Sequence, residues 1–182
     1  MQRRKFDLIV AWLGLFLAVI MGVAGGLLAW GGDFATRTVH EQLAAQKIFF
    51  PPAGSEALAP AEIGKYLNKY AGQQLTTGEQ AEAYANHFIA AHLLEIGGGK
   101  TYAELSAASR QDPTNTALQG QVATVFRGET LRGLLLNAYA FGTLGNIAGI
   151  ASTVMYVAAG VLLLLALLGL RHARTVDADV RL

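Results

Sequence analysis

His87, His92 and Glu95 fall within nine residues of one another and are the only grouping here with a metal-like donor set. His92 and Glu95 stand three apart and could face one ion from a helix. His87 and His92 stand five apart, about 140° around an α-helix, so they diverge. His40 would have to arrive from elsewhere. A non-haem iron site takes two histidines and one carboxylate on one side, and no such triad is visible. The spacing predicts two histidines at helix-surface or packing positions, with no metal and no cofactor. Gly97-Gly98-Gly99-Lys100-Thr101 has the look of a phosphate loop. A Walker motif requires glycine at position 94, and Leu94 stands there. A helical pattern precedes the glycines where a strand belongs, so they read as a helix stop followed by a cap. Ser106 and Ser109 have no G-x-S-x-G setting. No catalytic residue is expected.

Aromatic side chains carry a different message. Phe49 and Phe50 are adjacent and precede Pro51-Pro52. Two neighbouring phenylalanines are costly at a free surface, so they are expected in a core, in a partner contact or dipping into a bilayer. Trp30 and Tyr139, the latter close to Phe141, suit the aromatic belt of a membrane interface.

The chain that must position these groups has 182 residues, of which 53% are apolar and 15% charged. Globular proteins carry near 25% charge. The deficit is concentrated: residues 8–32 and 133–170, stretches of 25 and 38, contain no charge at all. Apolar runs of about 18 residues or more read as membrane spans, which excludes an ordinary soluble globule. The mean hydropathy is +0.36. The net charge of +1 argues against nucleic acid as a partner. Zero cysteine excludes disulfides and thiolate metal sites.

An all-α architecture follows: a two-helix transmembrane hairpin with a small helical extracytoplasmic domain between the spans. The first span is placed at 8–30 and the second at 147–170. Twelve Leu, Ile, Val and Phe residues in each contribute about −4 to −7 kcal/mol to insertion. Neither span holds an ionisable residue at depth, so neither carries an ion path alone. Arg3, Arg4 and Lys5 precede the first span, and Arg171, Arg174 and Arg181 follow the second. The positive-inside rule then puts residues 1–7 and 171–182 in the cytoplasm and residues 31–146 outside the cell membrane. A cleaved signal peptide is the rival for the N-terminus, but its apolar region is usually 7–15 residues.

Gly22 and Gly26 form one G-x-x-x-G, and Gly145 and Gly149 form another at the same depth in a hairpin. In lipid such motifs allow close backbone approach, either between the two spans or towards a partner helix. Ala18 extends the first stripe, and Asn146 could add a hydrogen bond between helices.

Between the spans the punctuation is helical. The first helix is expected to continue from Asp33 to Gln46, with the Ile48-Phe49-Phe50-Pro51-Pro52 stretch ending it. Ile63, Tyr66, Leu67 and Tyr70 share one face. Thr77 and Gln80, then Thr101 and Glu104, make two capping boxes, the first opening a helix expected to run to Ile96 and stop at Gly97. Asp112-Pro113 predicts the start of the last helix, with Leu118, Val122, Val125 and Phe126 inward. Arg127, Glu129 and Arg132 read as a solvated or headgroup-facing strip, with Glu129 and Arg132 as an i, i+3 pair.

The stretches 77–87 (TGEQAEAYANH), 98–105 (GGKTYAEL) and 126–132 (FRGETLR) resemble a family of uncharacterised actinobacterial two-span membrane proteins. Some members carry an automatic label of aromatic ring-opening dioxygenase, which the missing iron triad does not support. The resemblance implies a high-GC Gram-positive cell membrane and an outward-facing loop, and brings no catalytic residues. The expected function is a non-enzymatic accessory or scaffold subunit of a larger membrane complex, such as a respiratory or other electron-transfer assembly. Its partners would be the bilayer and other integral membrane subunits. The alternatives are a metal-binding or enzymatic protein using His87, His92 and Glu95, and an extracytoplasmic ligand sensor. Short terminal segments, about 7 and 12 residues long, weigh against a cytoplasmic output domain.

Overall fold

The structure, a computed structural model, describes residues 2–175. Arg181 lies outside the described residues. All regular elements among them are helical. The order is α1 (Arg3–Gln46), a 3₁₀ turn, α2 (Ala61–Leu67), a second 3₁₀ turn, α3 (Gly78–Ala83), a π turn (Tyr84–Ile89), α4 (Ala90–Ile96), α5 (Tyr102–Gln111) and α6 (Thr116–Thr175). Helices α1 and α6 are both long and apolar enough to cross a membrane. The chain divides into two compact units, Met1–Phe34 with Gly145–Leu182, and Ala35–Leu144.

The first unit is an antiparallel pair of helical segments that meet through small residues. Ala11, Ala18, Gly25 and Gly32 are all buried and spaced by seven. Gly145, Ser152, Ala166 and Ala173 are buried on the other helix at multiples of seven. A Cβ added to Gly32 would lie 2.8 Å from the Gly145 carbonyl oxygen, and one on Gly25 would lie 3.3 Å from Met155 and Tyr156. Farther along, Gly14 faces Ala166 at 3.5 Å and Gly169 faces Ala11 at 3.3 Å. A seven-residue period is the spacing of a left-handed coil, whereas paired G-x-x-x-G motifs cross with the opposite hand.

The expected glycine stripe is corrected accordingly. Gly22 and Gly149 would each carry a Cβ into open space. Gly26 reaches only the Tyr156 hydroxyl, at 3.5 Å, while Gly145 does sit at the seam and the Gly149 backbone nitrogen lies 3.1 Å from a Cβ added to Gly32. An i, i+4 pair drifts off a contact line that repeats every 3.5 residues, so one glycine of each motif points away. The hydrogen bond between helices comes from Ser152, whose Oγ donates to the Gly25 carbonyl at 2.8 Å. Asn146 is exposed.

The second unit has a core of large side chains. Phe50, Leu67 and Leu75 are essentially inaccessible, and Val39, Leu43, Ile63, Leu93 and Leu135 close around them. Each such side chain contributes about 1.5–3 kcal/mol by leaving water. Both predicted capping boxes form, at Thr77–Gln80 and Thr101–Glu104. Gly78 lets α3 approach α6 closely, because a Cβ there would lie 3.2 Å from Tyr139 Cα.

One helix boundary matches expectation and two helices differ from it. Helix α1 stops at Gln46, as expected, and Lys47 turns left-handed there at φ 53°. Helix α6 begins at Thr116 with Asn115 as its cap, the Asn115 Oδ1 accepting from the Leu118 amide at 3.0 Å. Asp112 instead holds the Asn115 side chain at 3.1 Å. The helix expected from Thr77 to Ile96 contains a π turn in its middle, closed by the Ala90 amide bonding to the Ala85 carbonyl.

Candidate functional site

The π turn is where the polar and aromatic side chains of the second unit collect. It projects Tyr84 inward, where its ring packs edge-on against Phe50 at 5.3 Å, and Phe50 also meets Tyr70 at 5.2 Å. Burial pushes the Tyr84 hydroxyl above the usual tyrosine range. His87 lies flat on Tyr66, ring centres 3.5 Å apart and planes within 4°. His92 donates from Nδ1 to the Phe88 carbonyl at 2.8 Å and packs on the Phe88 ring. Glu95 is exposed.

The three residues that could have formed a metal site are therefore held by different neighbours. Among the described residues, no three His, Cys, Asp or Glu side chains stand where they could share an ion. The metal reading on His87, His92 and Glu95 has no geometric support.

The glycine run is equally committed elsewhere. Gly98 and Gly99 take φ of 59° and 79°, which favours glycine at both. The amides of Gly97, Gly98, Gly99 and Lys100 donate to the carbonyls of Leu93, Glu95, Leu94 and Gly97. The Thr101 amide donates to Glu104 at 2.8 Å. A phosphate cradle works through free amides aimed at the ligand, and all five here are used within the turn. Thr101, through its amide and then its hydroxyl, also holds the Glu104 carboxyl below its ordinary range.

Arg132 was expected on a solvated strip and is instead half-buried. Its guanidinium reaches Glu129 at 3.3 Å on its own helix and the Asn86 Oδ1 at 3.2 Å in the π turn. Asn86 in turn donates to Glu82 at 2.9 Å. This chain of four side chains ties α3 and the π turn to α6. Nothing in the residue pattern announced it, because Asn86 and Arg132 are separated by 46 positions. A π turn has no spacing signature of its own, and it sets the phase of every side chain that follows. On the nearby surface, Lys69 sits 4.6 Å over the Tyr70 ring, and its hydrogen bond with Tyr70 raises its affinity for a proton.

The aromatic candidates separate. Phe50 is 2% exposed and lies in the core; its neighbour Phe49 is 57% exposed and pairs by backbone with Gln74. Trp30, 71% exposed, stacks on Phe34 with ring centres 6.0 Å apart. Tyr139 is partly exposed, with its backbone against Gly78. Phe126, expected to face inward, is exposed with one edge against Tyr102 at 5.5 Å.

Chemically, the arrangement packs, caps and bridges. Most of its polar groups answer one another, although the Arg132 Nε is buried without a hydrogen-bond partner among the described residues, and its apolar groups face outward in excess. Comparison with protein-family models, curated proteins and solved structures finds no match.

Proposed function

We propose that the chain is a two-span membrane protein that acts as a non-enzymatic accessory or scaffold subunit of a larger bacterial membrane assembly. In this reading residues 8–30 and 147–170 cross the cell membrane, both ends are cytoplasmic, and residues 31–146 form an extracytoplasmic helical domain. Exposed apolar surface carries the proposal. In the most apolar stretches of α1 and α6, only 17% and 6% of the residues are buried, whereas a core helix of a soluble protein would be covered. In the second unit Phe49, Leu94, Phe126, Leu134, Phe141 and Leu144 are each more than half exposed. Residues 31–132 carry only 18 charges in 102 positions. A surface of this kind suits burial against other proteins or lipid.

The resemblance to the actinobacterial two-span family is part of the same proposal, and a respiratory or other electron-transfer complex is one host of fitting architecture. Purification in mild detergent, with mass spectrometry of the companions, tests it. Integral membrane proteins in fixed stoichiometry are expected; a lone monomer or homodimer overturns the subunit reading. The absence of native cysteine makes topology accessible as well. An impermeant maleimide applied to whole cells is expected to label Thr114→Cys and to spare Arg4→Cys.

A further inference from the structure

We propose that one end of the hairpin holds a phospholipid whose headgroup carries both a phosphate and a hydroxyl, with an acyl chain wedged between the two helices. The inference rests on the membrane-spanning reading above.

Near their basic ends the two helices together line a cavity of about 250 Å³. Gly14 and Gly169 line it beside their close contacts with Ala166 and Ala11, and Val10, Leu162 and Leu165 form apolar walls. An apolar wedge in a lipid-facing pair of helices suits a hydrocarbon chain.

Its polar lining is Asp7 and His172, from the two helices. The Asp7 Oδ2 is buried and has no hydrogen-bond partner among the described residues. A buried carboxylate oxygen requires a donor, and a headgroup hydroxyl beside the wedge supplies one. Arg3, Arg4 and Lys5 on α1, and Arg171 and Arg174 on α6, lie within about two turns of Asp7 and His172 and are exposed. These five cations complement the phosphate. Basic residues at the cytoplasmic surface favour anionic lipid in general. The orphan carboxylate adds a demand that the phosphate alone does not satisfy.

Native mass spectrometry of the protein, from micelles containing equal amounts of phosphatidylglycerol, phosphatidic acid and phosphatidylcholine, tests this. The wild type is expected to retain phosphatidylglycerol about tenfold over phosphatidylcholine, the worth of one charge-assisted hydrogen bond, and to prefer it to phosphatidic acid. Asp7→Ala is expected to lose the preference over phosphatidic acid. Arg171→Gln with Arg174→Gln is expected to weaken both anionic lipids together. Val10→Phe fills the wedge from an exposed position and is expected to lower retention about tenfold, while Val19→Phe, exposed elsewhere on α1, leaves it unchanged. Equal retention of the three lipids overturns the proposal, as does wild-type retention by Val10→Phe. Carbonate extraction of membranes reads the parent proposal separately: a chain that stays in the bilayer yet shows no lipid preference defeats only the lipid site.

Discussion

In the hairpin unit the buried positions along α1 are Ala11, Ala18, Gly25 and Gly32; in the helical unit Phe50, Leu67, Leu75 and Leu105 are buried alongside alanines such as Ala81 and Ala85. The first set holds only alanine and glycine, whereas the second also encloses large apolar side chains. The difference follows from what each unit has to gain. Water drives large apolar side chains together, because each takes more surface out of contact with it. Lipid is as apolar as leucine, so a large side chain gains little by turning inward, and contact comes from backbones brought close. Under the membrane placement proposed above, this is why the large residues of the hairpin face outward while those of the helical unit close a core. Where the helical unit breaks that pattern, at Phe49, Leu94, Phe126 and Leu134, its surface resembles that of the hairpin.

Substitutions can break this contrast, and the core should respond most. Phe50→Ala is expected to cost about 3–5 kcal/mol, while Phe49→Ala next to it changes stability by less than about 0.5 kcal/mol. Urea unfolding in micelles, followed by near-ultraviolet circular dichroism, reads both. Equal losses would mean that the exposed ring carries structural load.

In the hairpin the sense is reversed, and adding volume does the damage. Gly32→Leu drives a side chain into the Gly145 backbone, which cannot move aside as a side-chain tip would. An overpacking loss of about 1–3 kcal/mol is expected, whereas Gly22→Leu is tolerated because its Cβ meets nothing. Unfolding by graded detergent denaturation distinguishes the two. If Gly22→Leu were the worse, the contact would run along the G-x-x-x-G line after all.

Smaller effects sharpen the comparison. Thr77→Ala removes one half of a capping box and should lower the stability of the helical unit by about 1 kcal/mol. Ser152→Ala removes the hydrogen bond to Gly25 and should cost about 0.6 kcal/mol, measurable in the same detergent titration. The gentlest handle is pH. Tyr84 ionises in the unfolded chain near 10, and burial raises that value in the fold. Its contribution is therefore complete below pH 10 and is lost as pH rises from there through the folded value. Tyr84→Phe should flatten the alkaline limb of the stability profile; an unchanged limb would assign it to other groups.

Much of the helical punctuation was legible because it is local. Both capping boxes, the stop at Gly97–Gly99 and the face of Ile63 and Leu67 depend on residues within one or two turns of each other. The fate of Phe49 and Phe50 was not legible, because adjacent residues in an extended segment point to opposite sides and only the partner segment decides which is covered. The Asn86–Arg132 link joins distant positions through a π turn that has no pattern in the residues. The seven-residue repeat of small residues was present in the sequence, but the more conspicuous G-x-x-x-G pairs overlay it on the same helices.

By itself, then, the sequence determined that the chain is helical, that two of its helices are long and apolar enough to cross a membrane, and where several helices start and stop. Those properties depend on side-chain type and on the 3.6-residue period, both written along one strand of chain. Only the tertiary structure decided which of two overlapping glycine patterns forms the seam, which of two phenylalanines is core, and that His87, His92 and Glu95 stay apart. Each is a question of rotation about an element's axis, and that angle is set by what packs against it.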